Sequence, residues 1–204
     1  MPFGDPMKLS PQSSGGDTTA IDSYGYYLEG KDYPRLIYIE IDKNRDNQSD
    51  EMIWNGTPSN NTAGSPLKSG HARVHEESDT NYDGKVDTIR WFLVNDVLTL
   101  VQKDTNADGF FETLLYYNLQ KKVARTDIDS NRDGKFDIFI FNDRAEVDTN
   151  ADMAPDKVVF GKSPLELEEK ATNKKDLKDL PKASSYFLNS SLVPQSERPI
   201  VGGF

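Results

Sequence analysis

Nine residues recur five times along this chain: "DKNRDNQSD" (42–50), "DTNYDGKVD" (79–87), "DTNADGFFE" (104–112), "DSNRDGKFD" (129–137) and "DTNADMAPD" (148–156). Every copy carries Asp at position 1, Asn at 3, Asp at 5 and Asp or Glu at 9, and the middle three carry Gly at 6. The first aspartates, at 42, 79, 104, 129 and 148, stand 37, 25, 25 and 19 residues apart, which sets a unit of about 25 residues. A unit that short has room for one supersecondary element, so the fold must be an array of similar pieces. The long first gap contains "NGTPSNNTAGSPLKSG" (55–70), whose Gly, Pro, Ser and Asn mark an inserted surface loop.

The flanks identify the piece. Downstream of each loop, apolar residues fall two apart at one offset: Met52 and Trp54, Ile89 and Trp91, Leu114 and Tyr116, Phe139 and Phe141, Val158 and Phe160. Period two is strand periodicity and puts each pair on one face of a sheet. Upstream, "RLIYIEI" (35–41), "HARVHE" (71–76), "VLTLVQ" (97–102) and "VARTDI" (123–128) are β-rich as well. Each unit is therefore strand, acidic loop, strand. The expected fold is all-β, an antiparallel meander of roughly ten strands over 21–162, arranged as a sandwich, an open barrel or a stacked sheet. "LLYY" and "IFIF" are apolar on both faces, so sheet stacking, closure or self-association is expected to bury them.

Outside the repeats, residues 1–20 read as a flexible tail. Ser163, Pro164 and Glu166 read as a cap, a first helical position and a capping box. They predict one peripheral C-terminal helix over 163–180, with a thin stripe of Leu165, Ala171, Leu177 and Leu180, ended by Pro181. Residues 181–204 read as an extended tail.

Oxygen ligands at 1, 3, 5 and 9, a main-chain carbonyl at 7 and a sharp turn at 6 are what a hard cation such as Ca²⁺ needs in a short loop. The candidate ligands are Asp42, Asn44, Asp46, Gln48 and Asp50; Asp79, Asn81, Asp83, Lys85 and Asp87; Asp104, Asn106, Asp108, Phe110 and Glu112; Asp129, Asn131, Asp133, Lys135 and Asp137; and Asp148, Asn150, Asp152, Ala154 and Asp156. Gln48, Lys85, Phe110, Lys135 and Ala154 would contribute only their carbonyl oxygens. An EF-hand would add a bidentate Glu at position 12, but Ile53, Arg90, Leu115, Ile140 and Val159 stand there. The position-9 carboxylate must then be the strong ligand. Met153 replaces Gly in the fifth loop, where a positive φ is a penalty, so that loop ranks weakest. Asp, Asn and Gly are also ordinary turn residues, and one copy alone would read as a metal-free acidic turn. Five copies at fixed spacing do not.

The pattern D-x-N-x-D-G-x-x-D between two strands, over about residues 36–160, resembles the calcium hairpins of FG-GAP repeats in integrin-type β-propellers. It also resembles the tandem DTNxDGxxD hairpins of bacterial secreted and surface-anchored proteins, and is more distantly similar to thrombospondin type 3 and dockerin loops. FG-GAP units are about twice as long, which argues against a propeller. The resemblance implies four or five Ca²⁺ ions on the residues named and an extracellular setting.

Composition narrows the role. A net charge of −10 and a pI near 4.7 argue against a nucleic-acid partner and disfavour a basic membrane-surface role. No apolar run reaches the 18 residues of a transmembrane segment. The absence of Cys excludes disulfides and thiol chemistry. No nucleophile–base set or catalytic carboxylate pair stands apart from the ligand pattern, so the chain reads as non-enzymatic. His71 and His75 lack a carboxylate at metalloprotease spacing and read as solvated or satisfied, while Tyr24, Tyr26 and Tyr27 read as a strand packed on the sheet.

With free Ca²⁺ ~100-fold above Kd, each site would stabilise the fold by roughly 2.7 kcal/mol. Four or five sites sum to about 11–14 kcal/mol, as large as the whole stability of a typical domain at ~5–15 kcal/mol. That magnitude points to a structural staple. Extracellular modules bind at about 10⁻⁴–10⁻³ M, so a secreted, periplasmic or outer-surface setting is expected, although no export signal or lipid anchor is visible in "MPFGDPMKLSPQSSGG". The expected working surface serves a protein or glycan partner at the cell surface, with self-association open. A calcium-stabilised domain of a secreted hydrolase is the alternative. An intracellular calcium switch is a third, and would require submicromolar affinity.

Overall fold

The computed structural model describes residues 7–9, 22–28, 35–56, 72–93 and 96–200. The chain divides into two compact units, Met1–Leu98 and Thr99–Phe204. Each is an antiparallel meander in which strand order follows chain order, so the all-β class with one helix is observed. Thirteen strands are described, eleven of them within 21–162, in line with the roughly ten expected there.

In the first unit, β1 (Met7–Leu9), β2 (Asp22–Leu28), β3 (Arg35–Asp42), β4 (Glu51–Gly56), β5 (Ala72–Ser78) and β6 (Thr88–Leu93) pair in sequence. β1 lies within the stretch read as a flexible tail, and its backbone pairs with Ser23–Gly25. The rest of that tail, most of the inserted loop and His71 lie outside the described residues.

Period-two alternation puts Tyr26, Tyr38, Trp54, His75 and Trp91 in one row across β2 to β6. Strands about 4.8 Å apart bring such rings into contact. Successive centroids lie 5.3, 4.8, 4.8 and 4.2 Å apart. Aromatic pairs contribute about 0.5–1.5 kcal/mol each beyond their buried area. His75 Nε2 lies 2.8 Å from Glu77, while its Nδ1 is buried without a hydrogen-bond partner. Among the described residues of this unit no hydrophobic side chain is buried. Among its described residues the unit is held by its ring row, its ladder and its loops.

The second unit takes in β7 (Val97–Lys103) from Thr99 onward, then β8 (Thr113–Tyr117), β9 (Val123–Ile128), β10 (Ile138–Ile140), β11 (Arg144–Val147), β12 (Lys157–Phe160), α1 (Pro164–Thr172) and β13 (Lys178–Asp179). Here there is a core. Ile138, Ile140, Ala145, Val147 and Val159 face α1 and meet Leu167 and Ala171. Phe139 and Phe141 point the other way and meet Val193, Tyr186 and Phe187 from the C-terminal segment. The two-faced apolar run at 138–141 is thus covered by the unit's own helix and tail.

The helix departs from the expected one in three ways. Ser163 caps it and Pro164 opens it, as expected. It ends at Thr172, where Asn173 takes the cap and Lys174 and Asp176 adopt positive φ of 51° and 57°. Lys178–Asp179, expected to be helical, pair instead with β12. Its phase also differs: Leu167, at 0 % exposure, faces the sheet while Leu165 is 77 % exposed. It is a core element, not a peripheral one.

The C-terminal segment is likewise ordered. Glu146, wholly buried on β11, accepts hydrogen bonds from Ser185 Oγ (2.6 Å), Tyr186 N (2.7 Å) and Phe187 N (3.2 Å). Phe187 stacks on Phe139 with centroids 3.8 Å apart, and the Arg144 guanidinium lies 3.6 Å from the Tyr186 ring centroid. Further along, Asn118 donates to Ser196 O and Ile200 N to Tyr117 O. A buried carboxylate reading two adjacent main-chain N–H groups explains why 182–200 lies down on the sheet, in short 3₁₀ turns rather than extended.

Candidate metal centre

The five loops are hairpin tips of closely similar conformation, and a main-chain bond that closes the tip is seen in four of them. The position-9 N–H donates to the carbonyl just before position 1 at 2.9 Å (Asp50 to Ile41), 2.9 Å (Asp87 to Ser78), 3.0 Å (Asp137 to Ile128) and 3.0 Å (Asp156 to Val147). Inside the ring, the position-1 carboxylate gathers main-chain donors. Its Oδ2 accepts the position-6 N–H at 3.0, 2.7, 2.7, 2.8 and 2.7 Å in Asp42, Asp79, Asp104, Asp129 and Asp148. Its Oδ1 accepts the position-4 N–H at 2.6, 2.7, 2.7 and 2.9 Å in four loops. In the third loop Asp104 Oδ1 takes Asn106 N and Asp108 N instead.

The asparagine at 3 and aspartate at 5 continue the pattern. Asn44, Asn81, Asn106, Asn131 and Asn150 Oδ1 accept the position-5 N–H at 2.9–3.0 Å. Asp46, Asp83, Asp108, Asp133 and Asp152 Oδ1 accept the N–H of Gln48, Lys85, Phe110, Lys135 and Ala154 at 2.8–2.9 Å. These i to i+2 bonds are the local turns that Asp and Asn favour.

The backbone must enter the left-handed region twice per loop. Position 4 does so at Arg45, Tyr82, Ala107, Arg132 and Ala151, with φ of 60–65°. Position 6 does so at Gly84, Gly109 and Gly134, with φ of 85–90°, and at Asn47 (71°) and Met153 (64°). The fifth loop therefore keeps the common shape, with Met153 held against its preference by the Asp148 bond to its N–H.

Burial is graded along the loop. Position 1 is buried in all five copies, and Asp50, Asp87 and Glu112 are buried at position 9, while positions 3 and 5 are exposed. Burial alone would raise the Asp87 and Asp156 carboxyls, but hydrogen bonds, led by those from Thr80 and Thr149, outweigh it and hold both below the usual carboxylate range.

The residues that the sequence pattern does not single out sit at position 2. Thr80 and Ser130 hydroxyls donate to Asp87 (2.7 Å) and Asp137 (2.6 Å), Thr105 Oγ1 donates to Glu112, and Thr149 Oγ1 to Asp156 (2.9 Å). Their main-chain N–H groups donate to the same carboxylates. The signal was present as Thr or Ser after the first Asp in four of five copies. Lys43, in the first copy, supplies only its N–H, at 2.6 Å from Asp50.

Among the described residues, no three His, Asp or Glu side chains stand together closely enough to hold a metal ion by themselves. The carboxylates are turned onto the loops' own N–H groups. The donor set still fits a hard cation: each loop assembles three carboxylates and an Asn within nine residues, all oxygen donors on a fixed backbone. The third loop goes further. Glu112 Oε1 accepts Thr105 N at 2.9 Å, whereas Glu112 Oε2 is buried and has no hydrogen-bond partner. An ionised oxygen left so is costly unless a cation meets it.

No family model, curated protein or solved structure matches this chain.

Proposed function

We propose that the loops at 42–50, 79–87, 104–112, 129–137 and 148–156 bind Ca²⁺, and that the protein is a non-enzymatic, calcium-stapled hairpin array. The observation that carries the reading is Glu112 Oε2, buried within a loop of ligand spacing and lacking any partner. It is supported by the left-handed turns that all five loops place at positions 4 and 6, in a sequence that puts three carboxylates and an asparagine at each hairpin tip. In each loop the aspartates at positions 1 and 5, the asparagine at position 3 and the carboxylate at position 9 would hold the ion, with the carbonyl of position 7. The ion supplies positive charge that offsets crowded carboxylates.

Sites of this kind, at about 10⁻⁴–10⁻³ M, suit a secreted, periplasmic or surface-exposed protein. Its exposed surface then serves a protein or glycan partner. The test is a calorimetric Ca²⁺ titration beside thermal melting with and without chelator. Several bound ions and a melting temperature that drops on chelation are expected. An unmoved melting temperature in chelator, with no binding heat at millimolar Ca²⁺, overturns the proposal.

A further inference from the structure

We infer that the loops of the second unit fill in order, the third loop first, and that occupancy of the third raises the affinity of the fourth. The inference rests on the calcium reading above and deepens it.

The order follows from what each position-9 carboxylate gives up on binding. In the fourth loop both oxygens of Asp137 are engaged, Oδ1 by Ser130 N at 2.7 Å and Oδ2 by Ser130 Oγ at 2.6 Å. In the fifth, Asp156 Oδ1 takes Thr149 N at 2.7 Å and Oδ2 takes its hydroxyl at 2.9 Å. Asp87, in the second, takes Thr80 on one oxygen and Thr88 Oγ1 on the other. A cation on any of these must displace or share a charge-assisted hydrogen bond. Glu112 is different. Both Thr105 donors fall on Oε1, and Oε2 is buried and unclaimed. The residue is 6 % exposed, so bulk water has little access to it. One spared hydrogen bond to a charged group corresponds to an affinity advantage of roughly tenfold.

The coupling follows from the main chain. Glu112 O accepts Asp129 N–H at 2.9 Å, so the last ligand of the third loop and the first ligand of the fourth are bonded through the backbone. The same bond recurs between Asp137 O and Asp148 N at 2.8 Å, and in the first unit between Asp50 O and Asp79 N at 2.8 Å. Immobilising Glu112 lowers the ordering cost of Asp129, which is positive coupling without a change of fold. Charge works the other way, since filling one loop weakens the field at the next. Neighbouring tips are two strands apart, about 9.5 Å, and the ~8 Å screening length at physiological salt weakens that opposing field. The inferred coupling is the ordering effect in excess of it.

The glycine amides at position 6 give one reporter in each of the middle three loops, because Gly84, Gly109 and Gly134 N–H groups each bond their own position-1 aspartate. The experiment is an amide-resolved NMR titration of the full chain with CaCl₂ at physiological salt. The expected midpoint for Gly109 is about tenfold below that of Gly134. In Glu112→Gln, Gly109 loses its early response and the Gly134 midpoint rises at least about threefold. A wild-type Gly109 midpoint equal to or above that of Gly134 overturns the order, with no variant needed. An unchanged Gly134 midpoint in Glu112→Gln, or in the exposed Asp108→Asn if the first variant misfolds, overturns the coupling. If no glycine amide moves at millimolar Ca²⁺, the calcium reading itself fails, which is a separate result.

Discussion

Replacing Glu146 by Ala tests whether one buried carboxylate holds the C-terminal segment to the sheet. Glu146 is wholly buried and takes three donors, Ser185 Oγ, Tyr186 N and Phe187 N, within 2.6–3.2 Å. Arg144 Nη1 lies 3.7 Å from it and loses its buried counter-charge in the variant. Hydrogen bonds to a charged group contribute about 1.5–3 kcal/mol each, and stripping one partner from a buried charge costs about 3–5 kcal/mol. Some of the freed donors regain water as the segment lifts, so the expected loss is about 3–5 kcal/mol rather than the full sum. At roughly 4–8 °C per kcal/mol for a unit of this size, melting should fall by at least about 12 °C. Hydrogen exchange at Tyr186 and Phe187 should accelerate more than at Ile138–Ile140. Glu146→Gln should recover little, because its amide NH₂ would face N–H donors. A loss below about 1 kcal/mol with unchanged protection at 186 and 187 would show that aromatic packing on Phe139 and Phe141 holds the segment unaided.

Backbone strain gives an opposed pair. An added Cβ at Gly109 meets nothing within 4 Å, so Gly109→Ala should cost about 1–2 kcal/mol through its φ of 90° alone, while Met153→Gly, at φ 64°, should stabilise by roughly 0.5–1 kcal/mol; denaturant melts in chelator check both. Leu167→Ala, at a site of 0 % exposure between α1 and the sheet, should cost about 2–5 kcal/mol by the same assay. Burial, outweighing the Arg125 pair 2.7 Å away, pushes the Asp127 carboxyl up to about 6 from 3.8. A raised folded value means its stabilising contribution is complete below pH 3.8 and lost as pH rises through about 6. Stability curves in chelator for wild type and Asp127→Asn should therefore differ in slope between pH 4 and 6, and parallel curves would refute the assignment.

The hairpin tips are legible in the sequence because their conformation is set locally. Each bond within a tip joins residues no more than nine apart, and Asp, Asn and Gly favour those turns wherever they occur. The position-2 hydroxyls are written in the repeats too, but they stand outside the ligand spacing and so carry no mark of their role. The helix is legible at one end only. Ser163 and Pro164 mark its start, whereas Pro181 does not mark its end, since Asn173 and two positive-φ residues already break the chain. Its apolar stripe is also too thin to fix its own phase, so the burial expected at Leu165 falls on Leu167.

By itself the sequence determined that the chain is an array of acidic hairpins, where each tip falls, and which side chains share a strand face. Those properties depend on neighbours a few residues away and on a period of two. What covers the faces was decided only in three dimensions. Glu146 meets Ser185 across 39 residues and Asn118 meets Ser196 across 78. A single buried carboxylate turns a tail of ordinary polar composition into the second wall of a core. Contacts at that separation leave no periodic trace, because one favourable partner suffices and the intervening chain need not repeat. The same reason leaves the first unit without a buried apolar core among its described residues although its strands read much like those of the second: alternation specifies a face, and only a distant segment can bury it.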